Sequence, residues 1–244
     1  MKMKKSRTIL STILFVSVWF VAPIQVGAQS NTAVLAVHSL DIQGNVEEYL
    51  EALKPVIARA SVIAPKSKIT VFQAEFAGSE VGRILIVIDH PSMAYMEETR
   101  PKVTSDEELA KLWPALGKLG ATLEARGLYL NRAPEQDRDV DSPIIVLYGI
   151  DTHGNNDAYV EGSKKIHERF YKVINNAALS ISEAMFTGEN SGMIYIGLGS
   201  PSMADLEKWE EKIANDAELT RLFAERDKIG ATIVSRSLFR NVTP

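Results

Sequence analysis

The stretch Gly230-Ala231-Thr232-Ile233-Val234-Ser235-Arg236-Ser237-Leu238 repeats, 110 positions later, the pattern of Gly120-Ala121-Thr122-Leu123-Glu124-Ala125-Arg126-Gly127-Leu128. Each reads as a glycine that ends a helix, followed by a strand. Working outward at the same offset, Gly154 falls over Gly44 and Pro201 over Pro91, and residues 33–131 align with 143–241 without a gap. The 99 pairs contain 30 identities, whereas unrelated chains of average composition match at roughly one position in fifteen. The chain is therefore an internal duplication. A period of 110 residues is far too long for a solenoid, which makes each copy a domain.

Each copy opens on a short apolar run, Val34 to Leu40 or Ile144 to Ile150, then an Asp and a Gly-Asn pair (Asp41, Gly44-Asn45; Asp151, Gly154-Asn155). That order predicts strand, turn and helix start. Apolar residues at helical spacing follow, Tyr49, Leu53, Val56 and Ile57 in the first copy and Tyr159, Val160, Ile166 and Phe170 in the second. The runs Ile69 to Phe76 and Arg83 to Ile88, with Leu179 to Phe186 and Met193 to Leu198, flank loops with Gly at both ends and predict hairpins. Pro91-Ser92-Met93-Ala94 and Pro201-Ser202-Met203-Ala204 begin the next helix, and capping boxes are expected at Ser105 with Glu108 and at Asn215 with Glu218. Last strands are expected over Ala121 to Leu130 and Ala231 to Phe239, and Pro101 and Pro114 should leave the second helix of the first copy more broken than its twin.

Each copy is thus a βαββαβ unit. One face of its sheet is covered by helices, and the other would alternate to polar if it met water. Instead the strands are apolar on both parities: Val34, Ala36 and Leu40 against Leu35 and Val37, and Ile84, Ile86 and Ile88 against Leu85 and Val87. The other copy is the nearest available cover. The pattern resembles the dimeric α/β-barrel superfamily, which includes antibiotic-biosynthesis monooxygenases, Dabb and NIPSNAP proteins. The carriers are the element order and the stretches Pro201-Ser202-Met203-Ala204, Asn215-Asp216-Ala217-Glu218-Leu219 and Gly230 to Leu238. The resemblance implies an α+β fold of two ferredoxin-like repeats with antiparallel sheets, closed into one intramolecular α/β barrel whose inter-sheet space is filled by aliphatic side chains. The expected organisation is a signal peptide at 1–28, repeat one at 33–131, a polar linker at 132–142 and repeat two at 143–244.

The leader reading rests on the basic Lys2, Lys4, Lys5 and Arg7, the apolar stretch Ile9 to Val21, and the small residues Val26-Gly27-Ala28 before Gln29. It predicts an extracytoplasmic protein, periplasmic or secreted. The alternative, an uncleaved anchor over Thr8 to Ala28, is interrupted by Pro23 and Gln25. With no cysteine, disulfides, thiolate chemistry and Cys-ligated metals are excluded. A net charge of −4 without basic clusters after Arg7 argues against nucleic acid.

No catalytic constellation stands out. His38, mid-strand in repeat one, aligns with Tyr148, and Dabb-type members of the superfamily carry a His near this point, so both are catalytic candidates as acid or base. A small apolar or aromatic ligand between sheet and helices would touch His38, Trp113, Tyr148 or Trp209. No cofactor is expected, with one exception to weigh: chlorite dismutase-like relatives bind haem iron through a His of their second repeat, and His167 is the residue that would do so here. Gln73, Glu75 and Glu183 lie on strand two of their copies, and Arg126 and Arg236 lie mid-strand in strand four. Carboxylate–Arg pairs between the copies are the expected use of these. His90 beside Asp89 reads as an exposed loop residue, and Asn241-Val242-Thr243 matches a glycosylation acceptor. The functions left are a small-molecule binder, a cofactor-independent monooxygenase or cyclase-type enzyme, and a haem protein. As partners, the reading expects a small molecule, no nucleic acid, no stable membrane association after leader cleavage, and a pseudo-dimer within one chain that could oligomerise further.

Overall fold

The computed structural model describes residues 32–133 and 142–244. The expected leader, and all of the expected linker except Arg132, Ala133 and Ser142, lie outside these residues. Repeat one runs β1 (Val34–Ile42), α1 (Val46–Ile63), β2 (Lys68–Phe76), β3 (Ile84–His90), α2 (Met93–Thr104), α3 (Glu107–Lys118) and β4 (Ala121–Asn131). Repeat two runs β5 (Ile144–Asp151), α4 (Asn156–Val173), β6 (Ala178–Phe186), β7 (Ile194–Ser200), α5 (Met203–Ala214), α6 (Ala217–Asp227) and β8 (Thr232–Asn241). The second crossover is a pair of helices in both repeats, split at the same place. Pro101 and Pro114 sit inside α2 and α3 and do not leave the first copy more broken than its twin, which corrects that expectation.

All strand pairs are antiparallel, and they close into one barrel in the order β1-β3-β2-β8-β5-β7-β6-β4. The joins between repeats are β2 with β8 and β4 with β6, so the edges of each sheet are covered by the other. This is the closure that the two-sided apolar strands require.

Each second helix pair is pinned by one carboxylate. Asp106 Oδ1 accepts from the backbone N–H groups of Glu108 and Leu109 at 3.1 and 2.9 Å, and Asp216 Oδ1 accepts from that of Leu219 at 2.8 Å. The caps therefore lie one residue beyond the expected Ser105 and Asn215. The reason is that each Asp has a second employment: it also receives an arginine of the first helix, Arg59 or Arg169, at 2.6 Å.

Leu40, Val71 and Ile84 pack with Tyr49, Leu53, Val56, Leu109 and Leu116 between sheet and helices. Residues of the other parity face the lumen. There repeat one presents Leu35, Val37, Leu85 and Val87, but repeat two presents Gly149, Gly197, Ser180 and Ser182 beside its aliphatics. The expectation of a uniformly aliphatic lumen is thus corrected. At 149 and 197 a Cβ would meet the hydroxyl of the cross-strand Ser235 or Ser180, so a larger residue there would push that hydroxyl aside.

Candidate functional site

In repeat two, the space between sheet, α4 and α5 is plugged by Phe170 and Trp209, whose rings meet edge to face at 6.2 Å. The corresponding residues of repeat one are Ala60 and Thr99. The sheet beneath responds. Val146, Leu179 and Leu238 are buried, whereas their counterparts Ala36, Ile69 and Leu128 stay partly exposed. The sheet of repeat one is therefore less completely covered by its helices than that of repeat two, leaving a gap where the two aromatics would stand.

His38 stands on the sheet side of this gap, between Ala36 and Leu40 on β1, with Ile86 and Arg126 as its cross-strand neighbours. Burial, and then the charge of Arg126, lowers its pKa below the ordinary 6.5. The imidazole is accordingly neutral at neutral pH, able to donate one hydrogen bond and accept another. In repeat two the same positions hold Tyr148 and Arg236, with the guanidinium stacked 5.4 Å from the ring centroid. That stacking uses the ring as a packing surface for a cation.

The four residues expected to touch a ligand are not brought together. His38 and Trp113 belong to repeat one and Tyr148 and Trp209 to repeat two. Trp113 on α3 is 49% exposed, and Trp209 on α5 is 3% exposed within the core of Ile166, Phe170, Leu219 and Leu222. The residues that shape the gap, Ala60 and Thr99, are absent from that expectation. Their signal lies in the self-alignment, where two small residues stand over two aromatic ones.

His167 is on the inner side of α4, 3% exposed, with Nδ1 buried and without a hydrogen-bond partner. Burial, reinforced by Arg226, lowers its pKa to about 4. A neutral imidazole is the form that binds a metal, but its surroundings do not fit a haem. Arg226 of α6 packs against Gly162, where a Cβ would lie 3.2 Å from its Cγ, and its guanidinium covers the rings of Tyr159 and Phe223 at 4.9 and 5.2 Å. The space that a porphyrin would need is taken by a cation. Leu53, Ile57 and Leu116 of repeat one correspond to Ser163, His167 and Arg226, so this polar cluster is particular to repeat two. Among the described residues, no group of three or more His, Asp or Glu side chains is placed to hold a metal ion.

A carboxylate–Arg pair does cross between the repeats, Glu75 with Arg240, and Glu183 pairs with Arg132 at the start of the linker, directly after β4. The expected arginines, Arg126 and Arg236, instead face His38 and Tyr148. Register explains the difference: Gln73 lies opposite Arg240, and four further residues along β8 is about 13 Å. His90 is not an exposed loop residue. It ends β3, is buried, and its Nδ1 lies 2.8 Å from Ser67 Oγ.

No family model and no curated protein matches this chain. Solved structures do. A provisionally assigned monooxygenase from Lactobacillus acidophilus superposes with a TM-score of 0.56 at 8% identity, over 86% of this chain and 93% of that one. A provisionally assigned chlorite dismutase gives 0.51 at 11% identity, over 86% and 95%. A heme-binding protein from Thermus thermophilus gives 0.51 at 12% identity, over 86% and 90%. At these identities the likeness is one of fold: the chain shares with these structures the architecture of two ferredoxin-like units closed into one α/β barrel, with both units on one chain.

Proposed function

We propose that the protein binds a small apolar or aromatic molecule in the gap between the sheet and helices of repeat one, with His38 as its polar contact. The observation that supports this most is the replacement of Phe170 and Trp209 by Ala60 and Thr99, which leaves Ala36, Ile69 and Leu128 partly exposed beneath the helices. An apolar pocket with one or two convergent polar groups is the usual form of a small-molecule site. The test is the imidazole NMR signal of His38 during titration with the neutral aromatic ketone prodan. The signal should move, and filling the gap by Ala60→Phe with Thr99→Trp should abolish the movement. A His38 signal indifferent to prodan in the unaltered protein would sink the proposal.

One observation favours a second reading, the cofactor-independent enzyme. His38 is a neutral base with a cationic neighbour, Arg126, across the strand pair. It could take a proton from a phenol or an activated C–H while Arg126 holds the resulting anion. His38→Gln would then abolish turnover while leaving binding nearly intact.

We further infer export, on the strength of the leader at residues 1–28. The mature chain should begin at Gln29, and a mass spectrum retaining Met1 or Lys2 would favour an anchor. Among the described residues, no helix is long and apolar enough to cross a membrane.

A further inference from the structure

We propose that the barrel lumen is a second binding site, taking one neutral, largely apolar molecule that carries a carbonyl or hydroxyl oxygen. Eight strands enclose an interior just wide enough to be filled by side chains or to hold one small ligand. Here the side chains do not fill it. In a closed barrel an inward side chain at mid-strand has only the lumen to be exposed to, and Val37, Val87 and Leu147 all keep accessible surface. Several inward positions of repeat two are small or polar, with Gly149 and Gly197 packed against the hydroxyls of Ser235 and Ser180.

Polar groups inside the lumen await a partner. Ser39 Oγ, on the inward parity of β1, and Thr187 Oγ1 are buried without a hydrogen-bond partner. Thr187 and the ring of Tyr129 lie together over Gly127. Tyr129 meets Tyr195 edge to face, with centroids 5.4 Å apart and planes at 84°. Burial pushes both phenols up, that of Tyr129 to about 12, so they remain hydrogen-bond donors. A buried hydroxyl left unpaired is costly, and a ligand oxygen or hydroxyl relieves it.

Charge decides the class of ligand. Among the described residues, inward positions between the two rims carry no charged side chain. Asp89 faces Lys68 at one rim, and Glu80 pairs with Arg83 at 3.2 Å at the other. An ion would find no counter-charge inside, which favours a neutral guest. An open depression of about 510 Å³ at the rim of repeat two is lined by Asp151, Asn156, Asn190, Met193 and Val234. The Met193 methyl also reaches the space over Gly149, beside the Ser235 hydroxyl and the Tyr195 ring, so the depression adjoins this end of the lumen.

Equilibrium dialysis of prodan against the protein tests this, because its emission also reports hydrogen bonding. The unaltered protein should bind two molecules, and Ala60→Phe with Thr99→Trp should remove the one in the gap. In that background, Val87→Phe should weaken the remaining site roughly tenfold by overpacking. Tyr129→Phe with Tyr195→Phe, which removes only two hydroxyls, should weaken it roughly fivefold and shift the emission to the blue. If Val87→Phe does not fold, Val37→Phe and the tyrosine pair carry the same expectation. Loss of all binding once the gap is filled, or a residual prodan indifferent to the lumen substitutions, overturns the lumen site and leaves the gap reading standing. Undiminished binding after the gap is filled, abolished by Val87→Phe, overturns the gap reading instead.

Discussion

The two repeats share a frame and differ in what fills it. Hairpin glycines, the caps of the second helix pairs and the Arg59–Asp106 and Arg169–Asp216 pairs are the same in both, because they set backbone geometry and helix placement. The first helices differ, since the Asn45 side chain caps α1 and that of Asn155 does not cap α4. The interiors have diverged in opposite directions. Repeat two places Phe170 and Trp209 where repeat one has Ala60 and Thr99, but it places Ser163, His167 and Arg226 where repeat one has Leu53, Ile57 and Leu116. Repeat one is thus well packed near the C-terminal end of β1 and open beside His38. Repeat two is the reverse, sealed by aromatics at one end and polar at the other. Duplication allows this, since the frame needs two sheets to close but only one of the two interiors to serve a ligand.

The largest effect should come from separating the repeats. Residues 33–131 alone expose Leu35, Val37, Leu85 and Val87, so sedimentation should find a dimer or an aggregate. A cooperatively folding monomer would mean that the lumen faces do not need each other. Next, Trp209→Ala should cost about 3–5 kcal/mol in urea denaturation, as for other buried aromatics. Thr99→Ala, which removes one buried methyl and a hydroxyl donating to the Tyr95 carbonyl at 2.8 Å, should cost about 1–2 kcal/mol. Equal losses would mean that the two interiors are packed alike.

The polar cluster of repeat two makes a pH-dependent prediction. The folded-state pKa of His167 is about 4, against about 6.5 in the unfolded chain. Below pH 6.5 the unfolded state takes up a proton that the native state refuses, so stability falls as the pH drops from about 6.5 to about 4. The loss saturates near 3 kcal/mol, on the order of 1.4 kcal/mol per pKa unit. Replacing His167 with the Ile found in repeat one should flatten this limb, read from urea midpoints at pH 7 and pH 4.5. An unchanged limb would place the proton uptake elsewhere. The smallest effects are expected from Arg59→Met and Arg169→Met. They should lower the thermal midpoint slightly and by similar amounts, since each pair is solvent-exposed on one side.

The sequence reveals the frame well. Strands apolar on both parities, such as Ile84 to Ile88, demand a second cover, and the repeat supplies it. Glu75 is also legible as an inter-repeat pairing residue. Its partner is not, because a shift of register at Ala74 and Phe76 decides which arginine arrives, and no local pattern encodes it. The site is legible only by comparison. His38 among aliphatics looks the same whether packed or lining a gap, and the difference lies in Ala60 and Thr99, two unremarkable residues on other elements. Trp209 misleads for the converse reason, since a large aromatic fills a cavity as readily as it lines one.

The most direct test of the account is a crystal structure of the protein soaked with prodan. Density is expected between the sheet and α1–α2 of repeat one, next to His38, and none between the sheet and α4–α5 of repeat two, where Phe170 and Trp209 stand. Density in the gap of repeat two, or an empty gap beside His38, would contradict it.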